Sequence, residues 1–283
     1  MKKKRILIFG SKGFISSSFI TYVKKTNYKL IIFDSKKYNL LKTDSIKKIQ
    51  RVVKDQDIIF FVSAIAPSKT FFDFNRNIKM LLNFIDSIKK KKIKKLVYLS
   101  SDAVYSDTKK KITESSKTVP TTLHGLMHIT RENLLFKLFG KKTLVLRPTL
   151  IYGKNDPHNG YGPNSFIRLA KKNKDIKIFG KGEERRDHIH VEDVIKIIFN
   201  LIKKNKIGIF NICSGKIISF NELAKKIIHS LGSRSKIIYL KRSGPLHHLG
   251  LRRFNINKIK KNIHKIKIMN IRQNLNKNFF DTY

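Results

Sequence analysis

The sequence predicts a doubly wound α/β fold, in which helices cover both faces of a mostly parallel β-sheet. The first observation is that short apolar runs alternate with stretches whose apolar residues recur every three or four positions, the spacing of one face of a helix. The second is that these runs are continuous rather than alternating, as is typical of parallel strands buried on both faces. The third is the turn at Gly10, where the first run stops and a helical pattern begins.

The elements follow one another in a regular order. The predicted strands of the first half cover 6–9, 29–33, 58–62, 96–99 and 144–146, and the helices between them cover 14–25, 44–54, 72–92 and 124–139. After a loop rich in turn-forming residues come helices over 166–173 and 191–204, strands over 176–179, 207–212 and 236–240, and a helix that begins after Ser219. We therefore expect a first domain over 1–152 and a smaller, partly interleaved C-terminal lobe over 153–283, of which 255–283 is a lysine-rich tail.

The stretch from Gly10 to Ser16 has the spacing of a dinucleotide-binding turn. Gly10 permits the tight turn after the strand, and Gly13 lets the backbone approach a pyrophosphate at the start of the next helix. Ser16 stands where the motif usually has a glycine, and we expect a slightly looser contact between helix and strand there. The next apolar run ends in Asp34, 18 residues after Ser16, close to the roughly 20 expected for a carboxylate that binds the adenosine ribose. Because an acid repels a 2′-phosphate, the sequence predicts NAD rather than NADP, although lysines follow directly.

The chain is strongly basic. It has 62 Lys and Arg against 19 Asp and Glu, a formal net charge of +43. Such a charge attracts nucleic acid and other anionic partners. The lysines are spread along the whole sequence, however, and no aromatic residues alternate with the basic clusters as they do in single-strand-binding platforms. We therefore attribute the charge to a lysine-rich coding bias and do not predict nucleic acid as a partner.

Composition favours a cytoplasmic globular protein. Hydrophobic residues make up 41% of the 283 residues, enough for a sizeable core. No apolar run reaches the roughly 18 residues that indicate a membrane-spanning helix. The single cysteine, Cys213, excludes a disulfide framework and agrees with a reducing compartment.

Further short motifs follow the glycine turn along the chain. They lie at 62–64 (Val-Ser-Ala), 99–105 (Leu-Ser-Ser-Asp-Ala-Val-Tyr), 146–148 (Leu-Arg-Pro), 151–153 (Ile-Tyr-Gly), 186–193 (Arg-Asp-His-Ile-His-Val-Glu-Asp) and 211–215 (Asn-Ile-Cys-Ser-Gly). In this order and spacing, over about residues 4–240, the sequence resembles the extended short-chain dehydrogenase/reductases, the NAD-dependent epimerase/dehydratase family. The resemblance implies a Rossmann-type NAD-binding domain and a C-terminal lobe that binds, in most members, a nucleotide-linked sugar.

The resemblance also implies binding residues and an assembly. The implied cofactor-binding residues are Gly10, Gly13, Phe14, Ile15, Asp34, Asn39, Leu40, Ala64 and Pro148. Asn164 and Arg186 are implied to bind substrate phosphates, since a guanidinium can grip phosphate oxygens bidentately. A structural ion pair of Arg186 with Asp187 or Asp193 is the alternative. The family's usual dimer contact implies a homodimer through the helices over 72–92 and 124–139.

The catalytic residues depart from the family pattern. Members use a Ser or Thr hydroxyl, then a tyrosine that moves the substrate's hydroxyl proton, and a lysine four residues later that lowers the tyrosine pKa and holds the nicotinamide ribose. Ser101 matches the hydroxyl position. His124 stands at the tyrosine position and His128 at the lysine position.

Three interpretations of these histidines are open. Neutral His124 can accept a hydroxyl proton near pH 7, and His128 can donate a hydrogen bond to a ribose hydroxyl. Alternatively the site is decayed, and His124 is only a polar, partly buried side chain. Histidines at i and i+4 also share a helix face as zinc ligands do, but no cysteine or carboxylate cluster supplies a third ligand, so we predict no metal.

The sequence therefore predicts an NAD-dependent sugar-nucleotide epimerase or reductase, an isomerase or oxidoreductase whose catalytic residues are Ser101, His124 and His128. The alternative is a catalytically inactive NAD-binding sensor or scaffold of the same fold, because both signature residues of the family are replaced.

Overall fold

The structure, a computed structural model, describes residues 3–156 and 160–275. Its strands are β1 (Arg5–Phe9), β2 (Lys29–Phe33), β3 (Ile58–Phe61), β4 (Lys95–Leu99), β5 (Thr143–Pro148), β6 (Leu150–Tyr152), β7 (Ile176–Phe179), β8 (Arg185–His190), β9 (Gly208–Ile212), β10 (Ile217–Ser219), β11 (Ile237–Leu240) and β12 (Leu251–Arg252). Its α-helices are α1 (Phe14–Val23), α2 (Asp44–Val52), α3 (Phe71–Ile88), α4 (Leu123–Phe139), α5 (Pro163–Lys171), α6 (Val191–Lys203), α7 (Phe220–Leu231), α8 (Asn257–Asn262) and α9 (Ile271–Asn274).

The chain forms two compact units. The first contains the residues up to Ser106, together with Ser116–Pro148 and Ile195–Phe210. The second contains Asp107–Ser115, Thr149–Val194 and the residues from Asn211 onward. The sequence placed its boundary at 152, whereas the structure divides the chain at Pro148. It also assigns Ile195–Phe210 to the first unit, because β9 extends the sheet of that unit.

The first unit is organised around one sheet. Over the described residues, 3–156 and 160–275, this sheet has six strands in the order β2-β1-β3-β4-β5-β9. The pairings from β2 through β5 are parallel. From β1 the chain moves first to β2 on one side and then to β3 on the other, so the strand order reverses beside β1. In doubly wound sheets, ligands bind at the carboxyl ends of the strands at such a reversal.

Helices cover both faces of this sheet. On one face Phe9 and Phe61 pack against Phe84 of α3, with ring centroids 5.0 and 4.1 Å apart. On the other face Phe60 packs against Phe19 of α1 at 4.8 Å. Neighbouring residues of one strand point to opposite faces, so a continuous apolar run can fill both cores. The predicted fold class is confirmed.

The second unit is built around β8. β10 pairs with β8 antiparallel, while β12 and β6 pair with it in parallel, near its start and its end respectively. β7 and β11 form a separate parallel pair. Ile167 of α5, Ile178 of β7 and Leu223 of α7 are fully buried in one apolar cluster. Along β8 itself, Arg186, His188 and His190 are buried.

Across the described residues, we find no helix that combines the length and the apolar character needed to span a bilayer.

Candidate active site

The glycine turn is held closed by contacts that exclude larger residues. Gly10 has φ +92°, and a Cβ atom there would lie 2.7 Å from the backbone nitrogen of Ser63, in the loop after β3. Ser16, the residue expected to loosen the turn, is fully buried instead. Its hydroxyl donates to the carbonyls of Gly10 and Gly13, at 2.6 and 3.0 Å. The serine hydroxyl therefore shares its hydrogen between the carbonyls of the turn and of the helix start, a contact that glycine could not make.

A cavity of about 470 Å³ opens beside this turn. Of the predicted cofactor-binding residues, its lining includes Gly10, Gly13, Asn39, Leu40 and Ala64. Phe14 and Ile15 form the first turn of α1, whose backbone N–H groups have no acceptor within the helix. The tight glycine cradle and the helix N-terminus fit a dinucleotide pyrophosphate. Pro148 lies elsewhere in the unit, at the buried end of β5.

Asp34 is already engaged by neighbouring groups. One carboxylate oxygen accepts the Lys36 backbone N–H at 2.7 Å, and the other lies 3.5 Å from Nζ of Lys12. The backbone hydrogen bond, followed by Lys12, lowers the pKa of Asp34 below its usual value. Lys12 also lines the cavity, as does Arg76 of α3. Neither cation was predicted from the sequence. Lys12 stands inside the motif itself, whereas nothing local to Arg76 indicates that α3 turns it toward the cavity.

Ser101, the predicted catalytic serine, lies in a segment that packs against α4. Ser101 follows β4, and its hydroxyl accepts the Ala103 N–H at 3.2 Å, which caps a single turn of 3-10 helix over Asp102–Val104. Gly125 of α4 lies against this turn so closely that a Cβ atom there would be 2.2 Å from the Ala103 carbonyl oxygen. The absence of a side chain at Gly125 therefore lets the residue beside it, His124, approach the segment that carries Ser101.

His124 and His128 lie together on α4. Their ring centroids are 4.6 Å apart and the rings are perpendicular. Nδ1 of His124 accepts the backbone N–H of Ser68 at 3.4 Å, and Nδ1 of His128 lies 2.6 Å from the hydroxyl of Tyr98 in β4. Burial lowers the pKa of His124, with Asp102 opposing and Arg131 adding to the effect. Burial, then His124 and Arg131, lowers the pKa of His128 still further.

Arg131 is an unpredicted buried cation beneath the histidines. Its side chain is fully buried, and it donates to the carbonyl of Ser63 at 2.8 Å and to the backbone and side-chain oxygens of Asn77 at 2.5 and 3.1 Å. Asn77 in turn exchanges hydrogen bonds with the backbone of Ile65. Arg131 therefore ties α4 to the loop after β3, the loop that lines the cavity and closes on Gly10.

A buried ion pair supports the serine segment. Arg147 of β5 donates from Nε and Nη2 to the carboxylate of Glu132 in α4, and both side chains are at most 3% exposed. The same carboxylate accepts the hydroxyl of Ser100, the neighbour of Ser101. Both charges are sealed from water, so separating them would leave each one buried and uncompensated. This cost holds the pair in its geometry.

In the second unit, Arg186 and Asn164 already have protein partners. Arg186 pairs with Glu184 at 2.7 Å and also donates to the His247 carbonyl at 2.8 Å. Asn164 accepts the Gly153 N–H at 3.1 Å and donates to a carboxylate oxygen of Asp156.

The two carboxylates suggested as ion-pair partners of Arg186 accept hydrogen bonds from backbone N–H groups. The carboxylate of Asp187 accepts N–H groups of Ser214 and Gly215, and that of Asp193 accepts the Met269 N–H. Glu184 also binds Arg242. Both line a cavity of about 340 Å³ with Tyr161, Phe179 and His247. Arg186 therefore takes part in a structural ion pair with the glutamate two residues earlier.

No metal centre emerges from the geometry. Among the residues that the structure describes, no three His, Cys, Asp or Glu side chains are arranged to hold a metal ion.

Comparisons with known proteins agree with this geometry. The profile of the NAD dependent epimerase/dehydratase family matches residues 6–213. A putative UDP-glucose 4-epimerase of Methanocaldococcus jannaschii is 30% identical over 273 residues, which cover 87% of this chain and 89% of that protein. Among solved structures, RMD from Pseudomonas aeruginosa complexed with NADPH superposes with a TM-score of 0.83 at 18% identity, covering 96% of both chains. UDP-glucose 4-epimerase of Thermus thermophilus in complex with NAD gives 0.81 at 19% identity, covering 98% of this chain and 99% of that one. The predicted resemblance and the NAD cofactor are confirmed, and the chain belongs to the NAD-dependent epimerase/dehydratase family.

Proposed function

We propose that this protein is an NAD-dependent sugar-nucleotide epimerase or reductase in which histidines replace the tyrosine and lysine of its family. The 30% identity to a putative UDP-glucose 4-epimerase supports the substrate class. The observation that carries the proposal is the fit of Gly125 against the Ala103 carbonyl. It brings the helix of His124 against the turn capped by Ser101, so the two groups can act on one sugar oxygen.

The chain's residues take the following roles. Gly10, Gly13 and the first turn of α1 hold the cofactor pyrophosphate, while Asp34 and Asn39 hold the adenosine side. The nicotinamide supplies a site that accepts or returns a hydride. His124 exchanges a proton with the sugar oxygen at its Nε2 atom, because its Nδ1 is bonded to Ser68.

In this proposal the remaining binding residues contact either the sugar or the cofactor. Ser101 donates a hydrogen bond to the same oxygen as His124. His128 donates to a ribose hydroxyl of the cofactor. Ala64 and Pro148 contact the nicotinamide side.

The second unit binds the nucleotide diphosphate in this proposal. A guanidinium binds phosphate through charge-assisted hydrogen bonds. Arg186 supplies one that shares Glu184 with Arg242, and Arg242 lines a cavity together with Tyr161. Phosphate must compete with Glu184, which holds both arginines. Asn164 orders the loop that begins at Gly153.

The proposal also includes a cytoplasmic homodimer. Leu82 of α3 and Leu126 and Leu138 of α4 are exposed by 49, 43 and 55%, which supports a contact through these helices. Light scattering on the purified protein tests the dimer, and a monomer at all concentrations would remove this part.

The test of the activity is a screen of the purified protein with NAD or NADH against sugar nucleotides and their keto forms. We expect turnover, and we expect His124→Ala to abolish most of it while NAD still binds. A sugar carbon whose isotope exchange survives His124→Ala unchanged would refute the role of His124.

A catalytically inactive NAD-binding sensor is the second candidate. It is favoured by His128, which is only 4% exposed and bonded to Tyr98, so that it carries no fixed charge where the family has lysine. The double variant His124→Tyr with His128→Lys separates the two candidates. Turnover gained only by the double variant favours the sensor, and turnover by the parent excludes it.

A further inference from the structure

In both histidines of α4, Nδ1 accepts a hydrogen bond from a neighbouring group. An amide N–H can only donate, so its contact with Nδ1 of His124 at 3.4 Å requires a lone pair on that nitrogen. The amide belongs to Ser68, which is 3% exposed and follows β3. The donor is therefore a backbone amide, which keeps its hydrogen whatever the pH.

The neighbours of His128 indicate that its Nδ1 is also an acceptor. The hydroxyl of Tyr98, 2.6 Å from Nδ1, lies beside the guanidinium of Arg131. A guanidinium has donors and no lone pair, so the hydroxyl hydrogen points away from Arg131 and toward Nδ1 of His128. Tyr98 is 1% exposed, and burial raises its pKa, which keeps the hydroxyl protonated.

The charged groups around the pair keep both rings neutral. His124 faces Asp102 in the turn after β4 and Arg131 on its own helix. His128 faces Tyr98, His124 and Arg131. Burial and Arg131 disfavour an imidazolium at either position, and Asp102 only partly opposes this at His124. A neutral imidazole with a lone pair on Nδ1 carries its hydrogen on Nε2.

We infer that His124 and His128 form a matched pair of neutral Nε2–H donors, locked by the Ser68 amide and the Tyr98 hydroxyl. This inference rests on the proposed function. In keto reduction, His124 gives its Nε2 hydrogen to the carbonyl oxygen as the carbon receives a hydride, and a proton from solvent then restores Nε2–H. Alcohol oxidation is the same step reversed, so Nε2 of His124 must lose its hydrogen to solvent before it accepts the hydroxyl proton.

The test is nitrogen NMR of the full-length protein labelled with [15N]histidine, with and without NADH. The long-range coupling pattern distinguishes the two neutral tautomers and the imidazolium, and His124→Gln and His128→Gln assign the signals. We expect both residues to be in the Nε2–H form throughout about pH 6 to 8. An Nδ1–H form of either residue, or imidazolium in this range, would overturn the inference.

Variants test the two locks separately. Ser68→Pro removes the amide hydrogen, and we expect a measurable Nδ1–H fraction of His124 to appear, because no donor then requires the lone pair on Nδ1. Ser68→Ala keeps the amide and should keep the single form. Tyr98→Phe should have the same effect on His128. Tyr239→Phe, which removes another bonded hydroxyl, should have no effect on either ring. An unchanged tautomer in Ser68→Pro or Tyr98→Phe contradicts the corresponding lock.

The failures of the two proposals are distinguishable. Absence of any turnover refutes the proposed function even when both tautomers are as stated. Turnover that accompanies an Nδ1–H His124 refutes the donor pair alone.

Discussion

Gly125 lets α4 pack closely against the turn capped by Ser101, and Gly125→Ala disturbs that packing. The added Cβ would lie 2.2 Å from the Ala103 carbonyl oxygen and 2.6 Å from Cβ of Pro120. Side-chain carbons do not come within 3.0 Å of such atoms, so the start of the helix must retreat by about 1 Å.

Two opposing terms set the effect on stability. Alanine is the better helix former by about 1 kcal/mol, whereas overpacking of this kind costs about 1–3 kcal/mol. We therefore expect a net loss of roughly 0–2 kcal/mol in the free energy of unfolding. Catalysis should suffer much more, because a displacement of about 1 Å of a catalytic group can reduce the rate by roughly 100-fold.

The assay compares three quantities in one variant: the unfolding free energy from urea denaturation, the affinity for NAD, and kcat/KM for the substrate found by the screen. Affinity should be unchanged, because the cavity residues lie around Gly10 and not at Gly125. Asn133→Ala is the matched control, since it also favours helix but stands on an exposed face of α4. A Gly125→Ala protein that is more stable than the parent and fully active would refute the reasoning.

Three further substitutions test other parts of the structure. Asp34→Ala should remove the stabilisation by NAD, which for a ligand at about 100 times its Kd is roughly 2.7 kcal/mol. A thermal-shift titration with NAD and NADP measures this stabilisation. An unchanged shift would contradict the role of Asp34 in binding the ribose. Glu132→Gln should cost about 3–5 kcal/mol in urea denaturation, because Arg147 stays buried without its charge partner; Asp86→Asn, which breaks an exposed pair with Lys89, should change stability by less than about 1 kcal/mol. His188→Phe should stabilise the protein at pH 7 by about 1–3 kcal/mol, because neither ring nitrogen of this buried histidine has a hydrogen-bond partner among the described residues.

The stability of His188→Phe should also depend on pH in a different way from that of the parent. Burial, followed by Arg186, lowers the pKa of His188 to about 3. A base whose pKa is lower when folded binds more protons when unfolded, so its contribution to stability is complete above its ordinary pKa and is lost as the pH falls. The parent should therefore lose stability between about pH 6.5 and pH 3, and His188→Phe should lose less over the same window. Equal slopes in denaturation series would show that His188 does not titrate as stated.

The sequence by itself determined the features that depend on near neighbours. Apolar runs indicate buried strands because burial on two faces demands continuous hydrophobicity, and the Gly10 turn is local because its φ belongs to one residue. The family resemblance reached Ser101, His124 and His128 for the same reason, since each lies in a short motif. Even within this range the glycine spacing does not indicate that the hydroxyl of Ser16 contacts the carbonyls of Gly10 and Gly13.

Only the tertiary structure decided the contacts that join distant parts of the chain. Tyr98 meets His128 because β4 and α4 pack together, and nothing near either residue in sequence marks the other. Arg131 stands among ordinary helix formers, yet folding buries it completely beneath the loop after β3. A buried donor must find an acceptor wherever the fold supplies one, and so the charge and the tautomers of the histidine pair are set by packing that local sequence does not encode.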